Sequence, residues 1–143
     1  MSQEQNVDLV GRVLRRMSDR DIEGLLQDVD VDAELDYSES DALDSEVYRG
    51  HDGLRQWHRD VEEVWGDAIR VEPEAYFDLG ECVLMFYVLR GRGKQSGVEV
   101  AMPVALLTRW RNGLIVYLRA YSNREDALSD VGVSEDALEP VAR

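Results

Sequence analysis

The chain has a single cysteine, so it can form no internal disulfide. Cys82 lies in the apolar run Cys82-Val83-Leu84-Met85-Phe86, which predicts a buried structural thiol rather than a nucleophile. Long hydrophobic stretches are missing too: no run approaches the roughly 18 consecutive apolar residues a membrane span needs. The opening Met1-Ser2-Gln3-Glu4-Gln5-Asn6 lacks the basic flank and apolar block of a secretory signal, so the expected location is the cytoplasm. Positive charge is scarce, with 16 Lys+Arg against 30 Asp+Glu and a formal charge of −14. The arginines stand singly among acids, which argues against a nucleic-acid partner. Lys94 is the only lysine, a bias expected of a GC-rich bacterial genome. No glycine motif stands between a strand and a helix, so no nucleotide cofactor is expected; Gly91-Arg92-Gly93 is a hairpin joint. The two histidines, His51 and His58, fall two helical turns apart, about 10 Å, too far to share a metal ion.

What is present is organised. The 143 residues suit one domain, placed at residues 1–132, with a polar, flexible tail at 133–143. Val7, Val10, Val13, Leu14 and Met17 form the apolar stripe of a first helix. Ser18-Asp19-Arg20-Asp21 breaks and recaps the chain before a short second helix with Ile22, Leu25, Leu26 and Val29 facing inward. Ala33 to Tyr37 reads as a strand, and the acidic, serine-rich stretch 38–46 as a surface loop or lid. A third helix from His51 to Trp65 aligns Leu54, Trp57, His58, Val61 and Trp65. The period then changes to two, predicting strands near 69–78, 82–91, 98–110 and 114–122. The last joint, Arg111-Asn112-Gly113, carries Asn-Gly, the strongest short hairpin signal, so these strands form an antiparallel meander. A short helix from Asn123 ends at Gly132.

Strand faces narrow the search for a pocket. Val116, Leu118, Ala120 and Ser122 share one face of the last strand, opposite Ile115, Tyr117, Arg119 and Tyr121. The preceding strand is apolar on both faces and needs two covers. Helices supply one; a second copy of the chain, on the face of Tyr117, Arg119 and Tyr121, is the expected other. Pro103 predicts a bulge or an unpaired edge.

The order of elements, with Asp21-Ile22-Glu23, Tyr48-Arg49-Gly50, Asn112-Gly113-Leu114-Ile115 and Leu118-Arg119-Ala120-Tyr121, resembles the SnoaL-like polyketide cyclases and ketosteroid isomerases of the nuclear transport factor 2-like superfamily. The likeness spans about residues 3 to 132. It implies an α+β, cystatin-like fold: a conical, curved antiparallel sheet wrapped by three N-terminal helices, a pocket between sheet and helices, and a homodimer packed through the sheet. Matched residue by residue, the isomerase base aspartate becomes Tyr37, the oxyanion tyrosine Val13 and the protonated aspartate Ala105. The cyclase aspartate before the last helix becomes Asn123, whose amide takes no proton at neutral pH. Neither relative's acid–base chemistry transfers, and whether the protein is an enzyme is left open.

Among the remaining polar groups His58 is the candidate acid or base, beside Trp57 where steroid isomerases present aromatic residues to the pocket. Tyr37 and Tyr87 are candidate hydrogen-bond donors to a ligand carbonyl. Met85 and Leu89 share Tyr87's face as apolar wall; Val13, Ala105, Leu107, Leu118 and Ala120 complete the expected lining. Arg119 and Tyr121 either recognise an anionic ligand or belong to the dimer interface, with the interface favoured by the alternation of faces. The acidic lid disfavours anions. The expected partner is therefore a small, largely apolar molecule, neutral or cationic, bound with or without cofactor-free isomerase, cyclase or hydratase chemistry; the alternative is a non-catalytic ligand-binding or dimerisation module, in the extreme one whose cone is only a packed core and whose sheet serves association.

Overall fold

The computed structural model describes residues 3–40, 47–66, 69–80, 82–93 and 96–132. Helix α1 (Gln3–Ser18) buries Val10, Val13 and Leu14 along the predicted stripe. The chain turns at Arg20, whose φ of 61° is left-handed, and Asp21 caps α2 (Ile22–Asp28) by accepting from the Gly24 amide at 3.0 Å. Asp28 is buried but paired: Arg12 reaches it at 2.6 Å and Arg16 at 3.1 Å, which locks α1 against α2.

Val29 is not the inward-facing helix residue expected; it opens strand β1 (Val29–Glu39), longer than the predicted Ala33–Tyr37. Ser38 and Glu39, read as the start of a loop, belong to β1; directly after that stretch β2 (Val47–Arg49) pairs antiparallel with β1, while residues 41–46 of the predicted lid lie outside the described residues. Helix α3 (Gly50–Trp65) buries Leu54, Trp57, Val61 and Trp65. The meander follows as β3 (Arg70–Asp78), β4 (Cys82–Arg92), β5 (Glu99–Arg111) and β6 (Leu114–Tyr121). Asn112 and Gly113 both have positive φ, 55° and 79°, as a tight hairpin with a right-handed twist requires. Asn123 caps α4 (Arg124–Val131). The predicted tail, 133–143, lies outside the described residues.

The strands assemble in the order β2-β1-β6-β5-β4-β3. The meander is antiparallel, as its hairpins dictate. The sheet as a whole is mixed, because β1 joins β6 in parallel after the meander has walked back toward it. Helices α1 and α3 cover the concave face, where the main core lies; α4 covers part of the convex face over Phe77, Leu84, Phe86 and Tyr121. Pro103 sits where β5 extends past the end of β6, so one side of the strand there has no neighbour.

One irregularity rearranges the predicted faces. Arg109 pairs with Tyr117 but Trp110 pairs with Ile115, so Val116 is the extra residue of a bulge. The bulge turns Ile115 inward, where it is fully buried with Leu118 and Ala120, rather than outward beside Tyr117.

Candidate functional site

A cavity of about 50 Å³ remains between the helices and the concave sheet. Leu14 and Met17 of α1 and Trp57, Val61 and Trp65 of α3 form its roof; Tyr37, Tyr87, Leu89, Met102 and Val104 form its floor. Below it, Val13, Leu25, Leu54, Ile115 and Leu118 enclose a void of about 10 Å³, at most the size of one water and without polar partners to hold one.

Four predicted residues, Tyr37, Trp57, Tyr87 and Leu89, meet at the larger cavity. The buried Trp57 indole N–H donates to the Tyr37 hydroxyl at 2.9 Å. The Tyr48 ring stands edge-on to Tyr37, centroids 5.9 Å apart, and its own hydroxyl donates to Asp60 at 2.6 Å. Burial pushes the Tyr37 phenol far above its ordinary pKa; the neighbouring Tyr87 adds to the rise, and the Trp57 bond only partly opposes it. Burial alone raises Tyr87. Both phenols therefore keep their protons throughout the physiological range. No Asp, Glu, His, Lys or Arg is among the described residues lining the cavity, so those residues offer donors and rings but no general base.

Other predicted residues fall elsewhere. His58 is only partly buried and lines neither space. The buried stripe of α3 is centred on Leu54, Trp57, Val61 and Trp65, and a residue one step past Trp57 sits about 100° around the helix, on the stripe's flank. Ala105 and Leu107 face the convex side, packed with Phe86, Tyr121 and Leu128. The inward residues of β5 are Met102, Val104 and Leu106, so the penultimate-strand match belongs on that face; it too holds no acid. Met85 and Ala120 are buried in the concave core without reaching the cavity, and Val13 and Leu118 reach only the small void. Asn123 spends its side chain on capping, accepting from the Glu125 amide at 2.8 Å.

Tyr121 is not free to meet a partner: it is buried, and its hydroxyl donates to Asp130 of α4 at 2.6 Å. Arg119 stacks over Tyr121 at 5.3 Å and pairs with Asp130 at 3.1 Å and with Asp36 and Glu39 at 3.6 Å. Three carboxylates of its own chain thus compete with any anionic ligand. Tyr117 lies half-buried beneath Arg109, 5.7 Å from its guanidinium, in an open groove on the convex face.

Lining residues missed by sequence reasoning include Leu14, Met17, Val61 and Trp65 of the helices and Met102 and Val104 of β5, together with Ser40, Ile69, Val71 and Ser122; Tyr121, expected at the interface, also borders the cavity. The helical ones were visible as members of the stripes; those of β5 hung on choosing between its two apolar faces. Among the described residues, no cluster of three His, Cys, Asp or Glu could hold a metal, and no helix is long and apolar enough to cross a membrane.

The SnoaL-like domain family matches residues 10–118. No curated protein matches the sequence. An NTF2-like protein of unknown function from Burkholderia pseudomallei superposes with a TM-score of 0.73 at 19% identity, over 90% of this chain and 97% of that one. TerC, co-crystallised with polyporic acid, gives 0.71 at 19% identity over 87% and 96%. A protein with a ketosteroid isomerase-like fold from Catenulispora acidiphila, in complex with trimethylamine, gives 0.70 at 18% identity over 90% and 95%. At such identities the structural likeness speaks for the fold, and the family match, which spans most of the chain, for descent: the protein belongs to the SnoaL-like domain family.

Proposed function

We propose that the protein binds a small, largely apolar molecule in the cavity roofed by Trp57 and Trp65. The observation that carries this reading is an aromatic-lined space with two protonated phenols at its floor, left open between the helices and the sheet. The complexes of two structural relatives with polyporic acid and trimethylamine support it. At about 50 Å³ the space is well below the roughly 300–1,000 Å³ typical of drug-sized ligands, so its occupant is compact, or Met17 and Met102 swing aside to admit it. With no base among the described lining residues, binding rather than proton transfer is the proposed role.

Benzene tests the reading, because dry apolar cavities take it up. Saturating benzene is expected to raise the melting temperature by mass action and to alter the fluorescence of Trp57 and Trp65. Val104→Phe, which fills the space, is expected to abolish both effects while the protein remains folded. If benzene leaves the wild type unchanged in both measurements, the space is a packing defect and the reading fails.

A further inference from the structure

The two roof helices end on the same side of the cavity, above the start of β3. Met17 near the end of α1, Trp65 at the end of α3, Ile69 just before β3 and Val71 within it all line the cavity there. The Ser18 hydroxyl accepts from the Val71 amide at 3.2 Å, which fastens α1 to the sheet. The end of α3 is tied to the turn between α1 and α2 through Arg20, whose own amide bonds the Met17 carbonyl at 3.3 Å. Its Nη1 donates to the carbonyl of Gly66, the C-cap of α3, and its Nη2 lies 3.1 Å from the Glu62 carboxylate. A cation suits this place, because the carbonyls at a helix C-terminus form the negative end of its dipole.

The tie is only partly satisfied. The Arg20 side chain is 12% exposed, yet among the described residues its Nε and Nη2 are buried with no hydrogen-bond partner; Glu62 supplies charge to Nη2 without the angle of a bond. Water would satisfy both groups if the end of α3 lifted, so the closed arrangement gives up less on opening than a fully bonded one would. The backbone on each side of the tie is also unusual. Arg20, at φ 61°, occupies a left-handed position that glycine or asparagine fills more readily. Gly66, at φ 61° and ψ −137°, adopts a conformation open mainly to glycine and stands as a pivot directly after Trp65.

Resting on the reading of this cavity as a binding site, we propose that ligands enter at this end: the last turn of α3 lifts about Gly66, carrying Trp65 off Met17, Ile69 and Val71, and Arg20 is the latch that holds it shut. A space of about 50 Å³ admits a ring-sized molecule only if a wall moves. The opposite side of the cavity, at Ser40 and Ser122, is closed by main-chain bonds: the Ser122 amide donates to the Glu39 carbonyl at 2.9 Å and the Ser40 amide to the Tyr37 carbonyl at 3.0 Å. Opening there breaks backbone hydrogen bonds at the ends of β1 and β6, whereas opening at α3 exchanges an under-bonded guanidinium for a hydrated one.

Fluorobenzene tests the latch, with fluorine exchange spectroscopy for its entry and exit rates and titration for its affinity. Arg20→Gly removes the latch and relaxes the left-handed turn, so it keeps the fold. Entry and exit should both accelerate about tenfold with affinity held within about threefold, because the barrier changes and the end states do not. Amide hydrogen exchange should rise at residues 62–66 and stay unchanged at residues 10–14. Arg20→Ala, which loses the same side chain without freeing the backbone, should reproduce the rates. Glu62→Gln, which weakens the charge pairing alone, should raise both by about two- to threefold. Wild-type rates in both Arg20 variants place the entrance elsewhere and overturn the latch while leaving the cavity a binding site. Faster exchange in Arg20→Gly alone, or faster exit with weakened affinity and unchanged entry, overturns it in the same way. Failure of fluorobenzene to bind the wild type or any variant overturns the proposed function and this inference with it.

Discussion

The concave and convex faces of the sheet both carry tyrosines, yet they treat the polar ends in opposite ways. On the concave face Tyr37 and Tyr87 stand among apolar side chains, with no charged group among the described lining residues. On the convex face Tyr117 lies under Arg109, while Tyr121 lies under Arg119 and hydrogen-bonds to Asp130. The concave phenols border a largely apolar space; the convex ones are tied into a network of ions. One face therefore leaves a largely apolar space beneath the helices, and the other holds α4 and offers a charged surface.

The largest effect that tests this contrast comes from cutting one aromatic on each face. Trp57→Ala empties the roof and deprives buried Tyr37 of its donor, so denaturant unfolding should show a loss of about 3–5 kcal/mol. Tyr117→Ala, in the open groove, should cost less than about 1 kcal/mol. If the convex face is where two copies associate, as we also propose, Tyr117→Ala should instead shift sedimentation from dimer toward monomer. A Tyr117→Ala loss as large as that of Trp57→Ala, in a protein that sediments as a monomer, would mean that the groove is part of the core and the contrast is false.

The helices and the meander were legible because each rests on a repeated signal: the stripe Val10-Val13-Leu14-Met17, the stripe around Trp57, and Asn112-Gly113 between two alternating runs. The misplaced residues rest on signals that a single step can invert. An extra residue at Val116 flips Ile115 to the other face, and nothing in Leu114-Ile115-Val116-Tyr117 announces it. Both faces of β5 are apolar, because α4 covers the convex one, so Ala105 and Leu107 looked as fit for the pocket as Met102 and Val104. His58 follows Leu54 by four residues and so reads as part of the α3 stripe, but the buried stripe is centred on Trp57 and leaves His58 on its flank. The parallel neighbour of β6 could not be read locally, since β1 and β6 lie far apart in the chain.

Alkaline pH should separate the faces a second way. Tyr37 and Tyr87 have folded pKa values raised above the unfolded value of about 10. Their contribution to stability is fully present below that value and is lost as pH rises above it toward the folded values. Phenolate absorbance should therefore grow in two stages: accessible tyrosines first, the buried pair only as the chain unfolds. Tyr37→Phe and Tyr87→Phe should each move the alkaline unfolding midpoint upward by a few tenths of a pH unit or more. If both tyrosines titrate smoothly in the folded protein, water reaches them freely and the concave site is open.

The smallest effect belongs to the convex network. Burial alone would raise the Asp36 carboxyl, but hydrogen bonds from the Ser38 hydroxyl at 2.6 Å and amide at 2.9 Å, with the Arg119 charge beside it, hold it below its ordinary value. A depressed carboxylate stabilises the fold at pH above its unfolded pKa, and that stabilisation is lost as pH falls through its folded pKa. Asp36→Asn keeps a group that can accept from Ser38 but removes the charge facing Arg119. At neutral pH it should cost a few tenths to about 1 kcal/mol, since Arg119 retains Glu39 and Asp130 as partners. The gap between the two proteins should close as pH drops below about 4, where the wild-type carboxylate is protonated in the unfolded and then in the folded chain. Added salt should narrow it only partly, because Asp36 is largely enclosed beside β6. A gap that stays constant from neutral pH down to 3 would locate the effect of the substitution in packing, and the convex face would then be held by shape rather than by charge.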